Sequence, residues 1–353
     1  MNYTKAEKFL IGLDAVPFTE YRRKAALYRL YAEEGEGFYE DPAAARIAGE
    51  GVSVKDLARG AGEKTLAALE ESGVFCITRE SAAYPADLEN VPCPPLVLYA
   101  KGNAELLKCR RFSVVGSRRS IPLALAKAEE FAAALAGAGF AVVTGSADGA
   151  DAAAIKGALK SGKIVSVLAG GIDCVYPACN AALIRQTAER GLVLGEYPPG
   201  TRPERFHFPV RNRIIAALGE GLLVVSAGRR SGTSYTAGYA EGLSKQIFAL
   251  PYNVNVPSGE GCNEYIRRGA MLTTRPEDIL EYYGIAKEKT DAPAMTEEEE
   301  RIYGIIRAAG EIHIDDLAAR TGKKAYELTP ALGMLEIKKR IVRQAGNVYC
   351  AVQ

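Results

Sequence analysis

Histidine is scarce in this chain of 353 residues, in which His207 and His313 are the only two. Catalytic triads that need a histidine, and metal sites built on a histidine cluster, therefore have few candidates. The seven cysteines are scattered and contain no Cys-x-x-Cys pair, so reduced thiols are the expected state. We accordingly predict no metal site, no cofactor and no catalytic residue.

Long apolar runs are also missing. No stretch of 18 or more residues is free of both charges and glycine-rich breaks, which argues against a membrane-spanning helix. Glu7 falls where a secretory signal peptide would have its apolar segment. We therefore expect a cytoplasmic protein that does not associate with membranes. A content of 48% hydrophobic and 25% charged residues is ordinary for a globular chain, and the length allows two or three domains.

The middle of the chain, from about residue 111, alternates short apolar segments with glycine loops and helical segments. Strands are predicted to end near Val115, Thr144, Leu168, Leu194 and Ser226, with a sixth over 246–251. Repeated strand-loop-helix units are typical of parallel sheets. We therefore predict a doubly wound α/β domain over residues 81–286, with its strand ends along one ligand-binding edge.

The two ends of the chain are predicted to form smaller units. Residues 1–80 show helical patterns at 5–13, 20–33, 42–48, 54–58 and 64–72, separated by glycines. They indicate a small helical domain of SAM-like or helix-hairpin-helix-like type, with a DNA-binding role and a packing role both open. Residues 287–294 are predicted to be a linker. Residues 295–353 combine three helices with a hairpin around Gly346-Asn347, the pattern of a winged helix.

Three glycine-containing loops follow strands of the predicted sheet. They are Gly116-Ser117-Arg118, the segment 145–149 that begins with Gly145-Ser146, and Ser231-Gly232-Thr233-Ser234. A glycine loop that leads into a helix offers free backbone N–H groups and partial positive charge, which suit a phosphate. Three such loops at one edge predict an anion-binding cleft.

The segment from Thr201 to Ser231 supplies the positive charge, with six arginines against two glutamates. Within it, Phe206 and Phe208 stand ahead of Arg211, Asn212 and Arg213, which we place just before an apolar helix. Aromatic faces stack on bases and guanidinium groups bind phosphates, a combination used to bind single strands. Burial of either phenylalanine in the core is the alternative.

Two nucleotide-binding motifs are imperfect. The segment from Gly157 to Lys163 resembles a Walker A loop, but Ile164 replaces the hydroxyl residue that holds magnesium, and the segment runs from helix to strand. No loop fits Gly-x-Gly-x-x-Gly. One enzymatic alternative stays open: Gly232-Thr233 with Glu241 is similar to the loop of Rossmann-like nucleoside phosphate hydrolases.

A series of short motifs, in order along nearly the whole chain, resembles the DNA-processing protein A (Smf) family of recombination mediators. The motifs are Tyr84-Pro85, Pro94-Pro95-Leu96, Val115-Gly116-Ser117-Arg118, 145–151, Gly170-Gly171-Ile172-Asp173, Tyr176-Pro177, Gly195-Glu196, 208–215, Ser231-Gly232-Thr233, Gly261-Cys262-Asn263 and Gly269-Ala270. So many motifs in one order make the resemblance specific.

The resemblance implies an extended Rossmann-like, mostly parallel sheet with a helical N-terminal domain and a C-terminal winged helix. It implies a protein that is not an enzyme, that binds and protects incoming single-stranded DNA, displaces single-strand binding protein and loads the recombinase RecA during natural transformation. It also implies a homodimer. Carried over by motif, the DNA contacts fall on Ser117, Arg118, Gly145, Ser146, Arg205, Phe208, Arg211, Asn212, Arg213 and Lys245.

The chain departs from the family pattern at three places. A histidine that follows the Gly-Ile-Asp motif is absent, since Ala154 is followed by Ile155, and a Pro-Gly pair becomes Pro251-Tyr252. The segment after Thr233 reads Ser234-Tyr235-Thr236. These changes leave the predicted DNA loops intact but bear on the dimer surface and on the shape of the cleft.

The third helix of the winged unit also gives little sign of duplex recognition. It carries Tyr326, Glu327 and Glu336, and basic residues follow only from Lys338. A helix that reads the major groove usually presents basic and amide side chains. Docking of a protein partner, or a structural role, is therefore an equal alternative.

Overall fold

The computed structural model describes residues 3–15, 21–49, 65–229, 231–285, 295–338 and 340–352. The predicted helix at 54–58 and the predicted linker at 287–294 lie outside these ranges. The chain divides into two compact units, Met1–Ile285 and Ala286–Gln353. Within the described ranges, none of the helices combines the length and the apolar character that a bilayer crossing requires.

The first unit begins with helices and continues as an alternation of strands and helices. The helices are α1 (Lys5–Ala15), α2 (Tyr21–Glu34), α3 (Pro42–Ala48), α4 (65–71), α5 (Pro122–Gly137), α6 (Ala150–Leu159), α7 (Ala181–Arg190), α8 (His207–Leu218), α9 (Thr233–Gly242), α10 (Glu260–Arg267) and α11 (Pro276–Tyr282). Short 3₁₀ turns lie at Gly35–Glu40, Ala86–Asn90, Ala104–Leu107, Ala178–Asn180 and Pro257–Gly259.

Nine strands of the described chain form the central sheet. They are β1 (Phe75–Thr78), β2 (Val97–Gly102), β3 (Arg111–Val115), β4 (Ala141–Thr144), β5 (Ile164–Gly171), β6 (Leu192–Tyr197), β7 (Gly221–Val224), β8 (Gln246–Ala249) and β9 (Met271–Leu272). Their order is β1-β2-β6-β5-β4-β3-β7-β8-β9. The strands β6, β5, β4, β3, β7, β8 and β9 are parallel to one another. At one side of the sheet, β2 pairs antiparallel with β6, and β1 pairs antiparallel with β2. The predicted doubly wound, mostly parallel α/β fold is confirmed.

Apolar side chains of the central strands point alternately to the two faces of the sheet, which explains why helices cover both faces. In β3, Phe112 and Val114 pack with α5 and α6, whereas Val115 belongs to the core on the other face, beneath α8 and α9. Successive side chains of a strand point to opposite faces, so a strand that is apolar throughout must be covered twice. The chain winds outward from the β3–β7 pair in both directions, which makes that pair the topological switch point.

The N-terminal helices share a core with the antiparallel edge of the sheet. Phe9, Leu13 and Phe38 are buried in one cluster with Val97 and Tyr99 of β2. β1 lies within the range predicted as helical, so the sheet begins before residue 81.

The buried Asp14 carboxylate links the first helix to the sheet by hydrogen bonds. The Asp14 carboxylate accepts hydrogen bonds of 2.9 Å from Lys24 Nζ and from the Tyr99 hydroxyl. Burial raises the pKa of Asp14 despite the neighbouring lysine. A buried carboxylate is tolerated when its oxygens are paired in this way.

The second unit has the elements of the predicted winged helix, which is thereby confirmed. These elements are α12 (Glu297–Ala309), β10 (Glu311–His313), α13 (Ile314–Thr321), α14 (Ala325–Ile337), β11 (Ile341–Gln344) and β12 (Val348–Ala351). The strands pair in the order β10-β12-β11, so the sheet contains one strand, β10, beyond the predicted hairpin. Ile302, Leu317, Leu332 and Tyr349 lie in its separate core.

Candidate functional site

A cleft of about 750 Å³ opens at the carboxyl ends of β3 and β7, the switch point of the sheet. Open α/β sheets bind their ligands at this position. Its lining comes from the loops after β3, β4, β5, β6 and β7, and from the first turns of α6, α8 and α9. The lining residues with side chains that can bind or stack are Ser117, Arg118, Arg119, Asp151, Tyr176, Arg205, Phe208, Arg211, Asn212, Ser231, Thr233, Tyr235 and Thr236.

Most glycines of the predicted anion loops lie so close to neighbouring loops and helices that a side chain would not fit. Gly149 has a φ of +79°, and a Cβ on it would lie 2.5 Å from the Ser117 carbonyl oxygen. A Cβ on Gly116 would lie 2.6 Å from Ala150 Cβ. By contrast, a Cβ on Gly232 would meet no atom within 4 Å. Only the last loop therefore leaves open space beside its glycine, although the N–H groups of Thr233 and Ser234 donate to Ser231.

Helix α8 begins at His207, earlier than the sequence suggested. His207 is buried, its ring stacks on Tyr197 at 4.0 Å, and its Nδ1 accepts a hydrogen bond of 3.2 Å from the Glu204 N–H. Burial lowers the pKa of His207, so the ring is neutral at neutral pH and adds no charge to the cleft. Because the helix starts here, Arg211 and Arg213 lie inside it rather than ahead of it.

Arg211 forms the floor of the cleft and is only 3% exposed. It donates to the Val167 carbonyl oxygen and, through Nε, to Asn212 Oδ1 at 3.2 Å. Burial lowers its pKa to about 10, although nearby Asp151 favours its charge. Burial likewise raises the pKa of Asp151 to about 6, opposed by Arg211. Both side chains pass against Gly145, where any Cβ would collide with them.

Arg213 faces away from the cleft into the protein. It is 3% exposed and forms an ion pair through both terminal nitrogens with Glu196 of β6. Its Nη2 and Nε also donate to the Cys93 carbonyl oxygen, and its Nε donates to that of Pro92. Burial disfavours its charge, but Glu196 outweighs this effect and raises the pKa of Arg213. The residue thus clamps α8 to β6 and to the 92–93 loop.

Three arginines at the cleft keep their charge available. Arg118, Arg119 and Arg205 are exposed, and within the described part of the chain none of them has an ion-pair partner. With Arg211 and Asp151, the lining holds four positive charges against one carboxylate, a net charge of +3 when that carboxylate is ionised. The cleft therefore attracts anions.

Aromatic side chains stand beside these charges. The Phe208 ring has the Arg118 guanidinium 4.8 Å above it and packs against Tyr176 with centroids 5.7 Å apart. Phe206 is 61% exposed just before α8, and Tyr235 is 54% exposed in the first turn of α9. An arginine over an aromatic ring gives a cation–π pair that can also flank a planar base.

The structure brings six of the predicted contact residues together in the cleft: Ser117, Arg118, Arg205, Phe208, Arg211 and Asn212. Ser146 lies behind the residues that line the cleft and is 3% exposed. Its hydroxyl donates to the Tyr176 carbonyl oxygen at 3.2 Å. Lys245 immediately precedes β8 and so lies at the amino ends of the parallel strands, on the side of the sheet opposite the cleft. Its Nζ is 3.5 Å from Asp87. The geometry favours neither Lys245 nor Arg213 as a contact with a cleft ligand.

Sequence reasoning did not assign a binding role to Arg119, Tyr176, Tyr235 or Asp151. Arg119 adjoins a predicted contact, and Asp151 stands in a quoted motif, so both had a local signal. Tyr176 also stands in a quoted motif, Tyr176-Pro177, but it reaches the cleft from the loop after β5, which is not one of the three predicted anion loops.

The fold places Glu241, the acidic residue of the enzymatic alternative, away from the cleft. Glu241 lies near the end of α9, about 12 Å along the helix axis from Thr233. It pairs with Arg268 at 2.9 Å and lines a different, smaller pocket with Lys245. The Walker-like segment runs from the end of α6 into β5, as expected, and so lacks the strand-to-helix direction of a phosphate-binding loop.

Comparison with known proteins gives two matches to family models. The model described as DNA recombination-mediator protein A matches residues 75–284. The model described as the DprA winged helix domain matches residues 286–347.

Relatives and solved structures agree with these matches. The chain is 39% identical over 259 residues to a putative DNA processing protein DprA of Mycobacterium tuberculosis, covering 70% of this chain and 67% of the relative. It is 35% identical over 220 residues to DNA processing protein DprA of Bacillus subtilis, covering 62% and 74%. The structure of DNA processing protein A from Streptococcus pneumoniae superposes with a TM-score of 0.64 at 30% identity, covering 80% of this chain and 98% of that one. The Helicobacter pylori protein, reported for its single-stranded DNA binding mode, superposes with a TM-score of 0.55 at 27% identity, covering 60% and 95%.

Proposed function

The chain belongs to the family of DNA recombination-mediator protein A, and from that premise we propose that its strand-edge cleft binds single-stranded DNA without catalysing a reaction on it. The observation that carries the proposal is the set of exposed arginines without ion-pair partners, Arg118, Arg119 and Arg205, beside exposed aromatic rings in one cleft. Phosphates would contact the guanidinium groups and bases would stack on the rings.

The preference for single strands follows from the aromatic component. A ring can stack on a base only when the face of the base is exposed, and in a duplex the neighbouring stacked base pairs cover these faces, whereas arginines alone would accept any phosphate backbone. The relative from Helicobacter pylori was reported for its single-stranded DNA binding mode, and it shares this fold.

Binding without chemistry is supported by the side chains of the cleft. Asp151 is the single carboxylate among the described lining residues, and it lies buried beside Arg211. His207 is buried and stacked on Tyr197. A general base must reach a substrate proton within hydrogen-bond distance, and Asp151 and His207 are only 6% and 5% exposed.

The physiological role belongs to the same proposal. We infer that the protein protects incoming single strands during natural transformation, displaces single-strand binding protein, loads RecA and acts as a homodimer. A strand held along an open cleft keeps part of its length accessible to a second protein, which suits a mediator. RecA filament formation on strands coated with single-strand binding protein should be faster when this protein is added.

Direct binding tests the central claim. Fluorescence anisotropy with a labelled oligothymidine and a duplex of equal length should show tighter binding of the single strand. The Arg118→Ala and Arg205→Ala variants should each lose about tenfold or more in affinity, because each removes a charge-assisted contact.

Arg190→Ala provides the matched control. Arg190 is exposed at the end of α7, immediately before β6, and so lies at the opposite edge of the sheet. Its removal deletes the same charge and should leave the affinity unchanged. Equal affinity for duplex and single strand, or equal losses in all three variants, would contradict the proposal.

A further inference from the structure

Tyr235 is an aromatic side chain of the cleft that lies on α9, whereas Phe208 lies on α8. The buried face of α9 is made by Thr233, Thr236, Ala237 and Ala240, which recur at helical spacing. Tyr235 is outside this set and is 54% exposed. Packing of the core therefore does not account for its position.

The ring on α8 is already engaged by its neighbours. Phe208 has the Arg118 guanidinium 4.8 Å over its face and the Tyr176 ring 5.7 Å away at 65°. A base that stacks on Phe208 must share the ring with Arg118 or displace it. Tyr235, within the described residues, has no ring contact, no side-chain hydrogen bond and no ion pair.

The helix also directs the Tyr235 ring toward the open part of the cleft. Cβ atoms of a helix lean toward its N-terminus, and Tyr235 lies in the first turn of α9, next to Gly232. Gly232 is the glycine of the three loops whose Cα faces open space, so a strand can approach here. A ring beside this open space can contact the base of a strand that passes Gly232.

We propose that Tyr235 is a second base-stacking platform, so that the bound strand places one base against α9 in addition to the base near Phe208 and Arg118. The inference rests on the proposed function of the cleft and adds a contact at a position where this chain departs from the family pattern. The ligand of this platform is the flat face of a nucleobase, and stacking does not depend on which base it is.

The experiment uses two strands of equal length, an oligothymidine and an abasic strand that has the same phosphates without bases. Tyr235→Ala should weaken binding of oligothymidine roughly 5- to 150-fold, the range expected for loss of one base–aromatic stack. It should leave binding of the abasic strand unchanged. Tyr235→Phe keeps the ring and should bind both strands as the original protein does. Tyr235→Leu keeps apolar volume without the ring and should behave like Tyr235→Ala.

Each result decides the matter. Unchanged oligothymidine binding by Tyr235→Ala would overturn the inference, and so would an equal loss on both strands, which would indicate a structural role. Failure of the unmodified protein to bind either strand in a salt-dependent way would instead overturn the proposed function of the cleft. Circular dichroism melting of the three variants, compared with the unmodified protein, confirms that the fold is kept.

Discussion

The salt dependence of binding separates the exposed arginines from the buried ones. Each phosphate neutralised on a single strand contributes about −0.7 to the slope of log K against log salt. Arg118, Arg119 and Arg205 are the three exposed arginines of the described cleft lining that have no ion-pair partner. If each neutralises one phosphate, they together predict a slope of about −2. A fourfold rise in salt should then weaken binding roughly 20-fold.

Single substitutions refine this prediction. Arg118→Ala, Arg119→Ala or Arg205→Ala should each reduce the slope by about 0.7. Arg213→Ala should leave the slope unchanged, because this guanidinium is paired with Glu196 and does not line the cleft.

The assay is fluorescence anisotropy with a labelled oligothymidine over a series of sodium chloride concentrations from about 50 to about 200 mM, which spans the fourfold rise. Arg190→Ala serves as the charge-matched control at the opposite edge of the sheet. The reasoning is refuted if Arg213→Ala or Arg190→Ala lowers the slope as much as Arg118→Ala does.

Three further predictions concern the groups beneath the cleft. Arg213→Ala should lower the free energy of unfolding by roughly 3–5 kcal/mol in urea titrations, since it leaves Glu196 without its buried partner, and adding Glu196→Gln should recover part of the loss. Gly149→Ala should lower the thermal midpoint, because its φ of +79° and its contacts exclude a side chain, whereas Gly232→Ala should not. Burial raises the pKa of Asp151 to about 6 from an ordinary 3.8, so its stabilising contribution is full below pH 3.8 and is lost as the pH rises through 6. The stability of the unmodified protein relative to Asp151→Asn, measured by urea unfolding across this range, should therefore fall by about 2–3 kcal/mol, and an unchanged difference would contradict it.

Local sequence was sufficient for the elements of the fold. The run Phe112–Val115 is apolar at every position but Ser113, which predicts a strand covered on both faces, and the glycine after it predicts the turn into a helix. Strand periodicity and helix boundaries depend on neighbours within a few residues, so they can be read directly. β1 and β9 lie outside the predicted strands, and the two residues of β9 are too few to show any alternation.

The sequence by itself also determined which residue types would meet at the strand edge, since parallel strands end on one side of a sheet. Only the tertiary structure decided which of those residues face the cleft. Arg118 and Arg213 are both arginines of quoted motifs, yet Arg213 is buried by Glu196 and by the Cys93 carbonyl oxygen, 120 positions away along the chain. Likewise, Gly149 is needed because the Ser117 backbone lies against it, and Gly232 is not crowded in this way. Such partners come from distant strands, and no local pattern encodes them.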